Sequence, residues 1–202
     1  MRSAWLALAL LGLLAACSPS RQQANRASPS GTNAIASATA SASNARYSNP
    51  FAYCRAVGTL DRPDSRYTGP NPPSAVIAGL VKAFGSPPAA TRSPAFTHGT
   101  YWRCMKGSVY ACNVGANLPC QSRANTDRAP TQGEKKYCAA HPGSDFIPMY
   151  VTGHNTIYDW SCKGDQPVAG KQITKVDARG YLANIWYRIP PPGSAPIPAT
   201  TP

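Results

Sequence analysis

The chain has 202 residues and seven cysteines, and its 20 Lys and Arg outnumber 8 acids to give a formal charge of +12. With the biased ends set aside, about 140 residues remain, enough for one core and too few for several domains. Basic charge attracts anionic polymers in general, but no Lys/Arg run exceeds Lys135-Lys136, so no dense nucleic-acid-binding stripe is written in the chain.

Residues 1–16 have the grammar of an export signal: Arg2, an apolar stretch from Trp5 to Leu14, then small Ala15 and Ala16. The stretch is too short for an ordinary transmembrane helix. Leu14-Ala15-Ala16-Cys17 closely resembles the lipobox of bacterial lipoproteins. That resemblance implies cleavage before Cys17, diacylglycerol on its sulfur and usually an acyl group on the new terminus. Several acyl chains hold a bilayer far more firmly than one, at about 0.8 kcal/mol per buried CH₂. Ser18 stands where Asp in that pattern would favour the inner membrane, so the expected place is the outer membrane, facing the periplasm. Export removes nucleic acid from the partners. The membrane itself, an anionic envelope polymer or an envelope protein remain.

Residues 17–48 continue as a Ser/Ala/Asn-rich tract with almost no large apolar side chains and no acid. Such a tract is expected to be a disordered tether with ends about 30 Å apart. The Pro-rich residues 190–202 read as an extended tail. Between them, residues 49–189 form the expected single domain.

With Cys17 lipidated, six cysteines are left: Cys54, Cys104, Cys112, Cys120, Cys138 and Cys162. An even count in an exported chain reads as three disulfides. No C-x₂-C pair or matched histidine spacing supports a metal, and no cofactor motif is present. Pro73–Gly85 reads as a helix with an apolar stripe of Val76, Ile77, Leu80, Val81 and Phe84, stopped by Gly85. Thr100–Met105 and Val109–Val114 read as a hairpin. If Lys106-Gly107 is its turn, Cys104 faces Val109, and Cys112 points to the other sheet face and joins Cys120 instead. A three-residue loop would reverse this. A second helix starts at Thr131, where Thr131 and Glu134 have capping-box spacing, and ends before Pro142. Its Cys138 would pin it to the sheet. Phe146–Thr152, Thr156–Cys162, Gln172–Asp177 and Tyr181–Ile189 complete the expected strands, with Asp177-Ala178-Arg179-Gly180 as a turn. Trp102-x-Cys104-x-x-Gly107 and Trp160-x-Cys162-x-Gly164 read as two similar hairpins. The fold expected is α+β: a small antiparallel β-sheet with two short helices, braced by disulfides.

The blocks Trp102–Met105, Cys112–Cys120, Asp177–Gly180 and Ile185–Tyr187 together resemble a cysteine-rich family of exported proteobacterial proteins with no assigned activity. The resemblance covers roughly residues 50–189, implies a single domain, and brings no mechanism with it.

For chemistry, His154 with Asp145 and Asp159 nearby is the one catalytic-looking constellation, and it is read as a structural histidine in a turn. No G-x-S-x-G elbow or H-E-x-x-H occurs, so no catalytic residue is assigned. The acids Asp61, Asp64, Asp165 and Asp177 suit turns, and Glu134 a cap. Tyr101, Arg103, Tyr158, Trp160, Tyr187 and Arg188 are the expected binding face for sugar or peptide. The reading is a non-enzymatic envelope binding module. One rival is an inhibitor laid out like the lysozyme-inhibitor lipoproteins, disfavoured by like charge. The other is a small envelope hydrolase. A concave pocket holding His154 and two acids would argue for the hydrolase; a flat aromatic-and-Arg face would argue for binding.

Overall fold

Two β-hairpins, each with a Trp-x-Cys on its first strand, organise the computed structural model, which describes residues 45–194. The first pairs β1 (Thr100–Met105) with β2 (Ser108–Asn113), and β5 (Tyr187–Ile189) adds antiparallel to β2. The second pairs β3 (Tyr158–Lys163) with β4 (Gln166–Gln172) as a separate two-stranded sheet. Five helices surround them: α1 (Pro50–Val57), α2 (Ser74–Ala83), α3 (Pro94–Thr97), α4 (Gln132–Ala140) and α5 (Met149–Thr152). The fold is a disulfide-stabilised α+β domain, with two sheets where one was expected and more helices than two.

The turn chemistry sets the register. Lys106 and Gly107 both take positive φ, 49° and 73°, as a two-residue hairpin whose twist matches its strands requires. Cys104 therefore faces Val109 and Tyr101 faces Cys112. Alternation then sends Trp102, Cys104, Val109 and Ala111 to one side, where α1 and α2 cover them, and Cys112 to the other. In the second hairpin Gly164 supplies the positive φ of the turn.

Three small cores result, and each holds one disulfide. Cys54–Cys104 lies among Tyr53, Leu80 and Trp102, and ties α1 to β1. Cys112–Cys120 lies among Ile157, Leu182 and Trp186. Cys138–Cys162 ties α4 to β3 beside Ile147 and Trp160. The pairing Cys112–Cys120 and the pinning of α4 by Cys138 follow the expectation from sequence.

The helix ends obey their local chemistry. After α2, Gly85 (φ 65°) and Ser86 donate their N–H groups back to the carbonyls of Lys82 and Val81, the double bond of a Schellman stop. Gly79 inside α2 is a packing residue: a Cβ there would lie 2.3 Å from Ile189 Cγ2, so glycine lets the helix close on β5. Thr131 and Glu134 form the full capping box of α4.

Several expectations need correction. Phe146–Thr152 is not a strand, because Pro148 starts the short helix α5 and Gly153 (φ 88°) ends it. The partner of β3 is Gln166–Gln172, not Gln172–Asp177, since the turn comes directly at Gly164-Asp165. Only the last three residues of Tyr181–Ile189 are strand; Leu182 makes a single bridge to Val176 and Ala183–Ile185 form a 3₁₀ turn. Helix α1 was not foreseen. The folded region also starts before residue 49: Tyr47 exchanges backbone hydrogen bonds with Arg66 and Thr68 and packs its ring on Tyr53. At the other end, Pro191 and Ser194 close a turn.

Loop length orders the staples. On chain-entropy grounds the separations of 50, 24 and 8 residues correspond to about 4, 3.5 and 2.5 kcal/mol. Urea unfolding of the three double Cys→Ser variants should rank Cys54/Cys104 as most damaging and Cys112/Cys120 as least. The reverse order would mean that packing around each bridge, not chain closure, dominates.

Candidate functional site

The expected binding face does not assemble. Arg103 is 1% exposed and Trp160 is buried in the third core, so neither is available at a surface. Tyr101 and Tyr158 are half-buried against the second and third cores, and Arg128 covers the Tyr158 ring with its guanidinium 4.1 Å from the centroid. Tyr187 and Arg188 are exposed on β5, in the other sheet from Tyr158 and Trp160, and Tyr187 packs edge-on to Phe84.

Arg103 is structural. Its guanidinium lies 4.5 Å from the Tyr181 centroid and 4.1 Å from that of Trp186, and it pairs with Asp177. Nε and Nη1 have no hydrogen-bond acceptor; the electron-rich ring faces take that place. Asp177 does two jobs, because its other oxygen accepts the Arg179 and Tyr181 N–H groups of the expected turn.

Beside β1, a cleft of about 360 Å³ lies between Asp61, Asn71, Trp102 and Trp186. Part of its polar wall is committed. Asp61 is held by Arg123 and Arg179, and the Trp102 indole N–H donates to Asn71 Oδ1 at 2.8 Å. Thr100 also lines it, and Thr100 Oγ1 and Trp186 Nε1 are buried with no hydrogen-bond partner among the described residues.

A second concavity, about 370 Å³, lies against the β3–β4 hairpin and differs in kind. The segment before α5 runs along the edge of β3: Ile147 N–H donates to the Trp160 carbonyl at 2.7 Å, and Cys162 N–H to that of Ser144 at 2.8 Å. This brings Phe146, Ile147 and Met149 to one wall. Asn125 bridges Asn155 and Ile157 and fixes the His154 loop, while Ile173 N–H donates to the Ile157 carbonyl. Phe146 (64% exposed), Met149 (55%) and Ile173 (54%) line this groove and Tyr150 (79%) adjoins Met149. Large apolar side chains gathered in solvent mark a binding surface more often than chance.

The groove also holds His154, Asp145, Asp159 and Ser161. The structure therefore brings together the histidine and both acids that the sequence singled out. Both carboxylates are exposed and His154 is half-buried. Among the described residues, no hydrogen bond joins His154 to either acid or to Ser161, and no group of three metal-ligating side chains forms. Asp159 lies directly over Gly170, where a Cβ would come within 2.3 Å of its Oδ1.

A census of the acids sets these two apart. Asp61, Asp64 and Asp177 are in ion pairs, and Glu134 closes its capping box. Asp127 accepts the Ala129 N–H, and Asp165 the Gln166 amide. Asp145 and Asp159 are the two carboxylates left without a partner among the described residues. Phe146, Met149 and Ile173 escaped sequence reasoning because a strand reading would have put alternate members in a core. The signal that could have found them was Pro148, which cannot donate within a ladder.

Cys17 and the lipobox lie outside the described residues. No helix among those described is long and apolar enough to cross a membrane. Comparison with family models, curated proteins and solved structures finds no match.

Replacing Arg103 by Met leaves Asp177 buried without its cation and should lower stability by about 3 kcal/mol. Arg103→Met combined with Asp177→Asn should cost clearly less than the two singles added, as chemical denaturation of the four proteins can show. Additive costs would mean that the pair is not coupled.

Acid should loosen the fold from the Asp61 and Asp64 side. The Arg66 side chain, 2.6 Å away, holds the Asp64 carboxyl down to about 2, and Arg179 foremost lowers that of Asp61. Both groups stay charged in the folded state at a pH where the unfolded chain takes up protons. Their contribution is complete above roughly pH 4 and lost as pH falls through the folded values. Thermal melts over that interval should fall less steeply in Asp64→Asn, and salt should shrink the difference because the pair is partly exposed.

Proposed function

We propose that the protein is an exported, lipid-anchored envelope lipoprotein whose disulfide-braced domain binds a partner through the groove beside β3 and β4. Cys17 carries the anchor, and the tract between it and residue 45 gives the domain reach from the membrane, by preference the outer membrane on its periplasmic side. The oxidised cysteine pairs support an oxidising compartment. The observation that carries the binding reading is the gathering of Phe146, Met149 and Ile173, all more than half exposed, around one concavity.

Two outcomes are expected in cells. Cys17→Ser should move the protein from the membrane fraction to the soluble envelope fraction. Photo-crosslinking from Tyr150 should give a defined adduct in wild type that Phe146→Ser with Met149→Ser removes. An adduct that survives those changes, or none at all, counts against the groove.

A second reading is favoured by one specific observation, the presence of His154, Asp145, Asp159 and Ser161 in the same groove. On that reading His154 serves as a general base for a hydrolytic reaction on envelope material. Turnover of a cell-wall substrate that His154→Ala abolishes would establish it over pure binding.

A further inference from the structure

We infer that the groove beside β3 and β4 takes a cationic, amphipathic peptide segment, one that places a large apolar side chain between Phe146, Met149 and Ile173 and a neighbouring Lys or Arg against Asp145 and Asp159. The inference rests on the binding reading above and adds the chemistry of the occupant.

The argument is one of charge against background. The chain carries a formal +12, so its surface as a whole repels basic partners. Six of its eight acids are already paired, capped or used in turns. Asp145 and Asp159, without a partner among the described residues, both line this one apolar groove. An exposed carboxylate at the lip of an apolar surface stabilises a cation brought there, and the apolar wall excludes the water that would screen it. Gly170 keeps the place open, since any side chain there would push the Asp159 carboxylate aside. An anionic polymer would meet two like charges in this groove. A neutral sugar would make no use of either carboxylate's charge and would leave the exposed Phe146 and Met149 poorly matched. A volume of about 370 Å³ is near the lower end for ligand sites, roughly 300–1,000 Å³, and suits one or two large side chains of an extended segment, not a folded domain.

The test uses the whole chain carrying Cys17→Ser, oxidised, with short synthetic peptides. One peptide alternates lysine with leucine and tryptophan. A second has glutamate for lysine, and a third has serine for the apolar residues. Isothermal titration should show binding of the first alone. Asp145→Asn with Asp159→Asn should weaken it about tenfold, and most of that difference should vanish in high salt. Phe146→Ser with Met149→Ser should weaken it by a similar factor, and Asp165→Asn, an acid outside the groove, should leave it unchanged. Gly170→Ala should weaken it with the fold intact.

Equal affinity for the glutamate peptide, or no effect of the two asparagines, overturns the inference. Sedimentation with zwitterionic lipid vesicles that depends on Phe146 and Met149, without peptide binding, overturns it in favour of a lipid surface. If crosslinking from Tyr150 captures a partner through the groove while all cationic peptides fail, the occupant's chemistry is wrong and the binding reading stands. If neither occurs, both fall.

Discussion

The placement of one disulfide in each of three small cores is the constraint on which the rest of the structure depends. None of the three clusters is large, and the strands that bound them are three to seven residues long. A core of that size contributes little beyond the chain entropy it must offset. Cross-linking restricts the unfolded chain instead. Each bridge also joins different kinds of element: helix to strand in the first and third cores, strand to the following loop in the second. The order of the chain in space is thus held locally, core by core, and the fold depends on its cysteines being oxidised.

Between the cores, one buried cation does the joining. Arg103 leaves β1 on the face opposite Cys104 and enters the second core between Tyr181 and Trp186, with Asp177 as its counter-ion. The contact links residues 74 apart in sequence. A hydrophobic residue could fill the same space, so the pair's value lies in the single arrangement it permits more than in stability gained. The third core adjoins the second through Tyr158 and carries exposed apolar side chains at its edge. A surface that the cores do not need for their own burial is one left for a partner.

The legible part of this fold was the part governed by short-range chemistry. Lys106-Gly107 announces a two-residue hairpin, and from that turn alone the faces of Cys104 and Cys112 and the bridge to Cys120 follow. Thr131 and Glu134 announce their capping box, and Gly85 the end of α2. What stayed hidden depended on tertiary context. Asn49-Pro50 reads equally as a turn and as the cap and first residue of a helix, and only the burial of Phe51, Tyr53 and Cys54 decides for α1. Arg103, next to exposed-looking aromatics, reads as surface until Asp177 and two rings arrive from far along the chain. The groove escaped for a related reason. A stretch like Phe146-Ile147-Pro148-Met149-Tyr150 carries its apolar residues without a clear period, and which of them meet water depends on where β3 runs. His154 with Asp145 and Asp159 was visible as a cluster in sequence; what the spacing could not convey was that they would share their groove with so much exposed apolar surface.

Non-reducing peptide mapping by mass spectrometry, on protein recovered from the envelope of cells, tests this account most directly. It should return three linked pairs, Cys54 with Cys104, Cys112 with Cys120 and Cys138 with Cys162, and an amino-terminal peptide starting at Cys17 that carries acyl chains and no thiol. Free thiols among the six, exchanged partners between cores, or an unmodified Cys17 would contradict it.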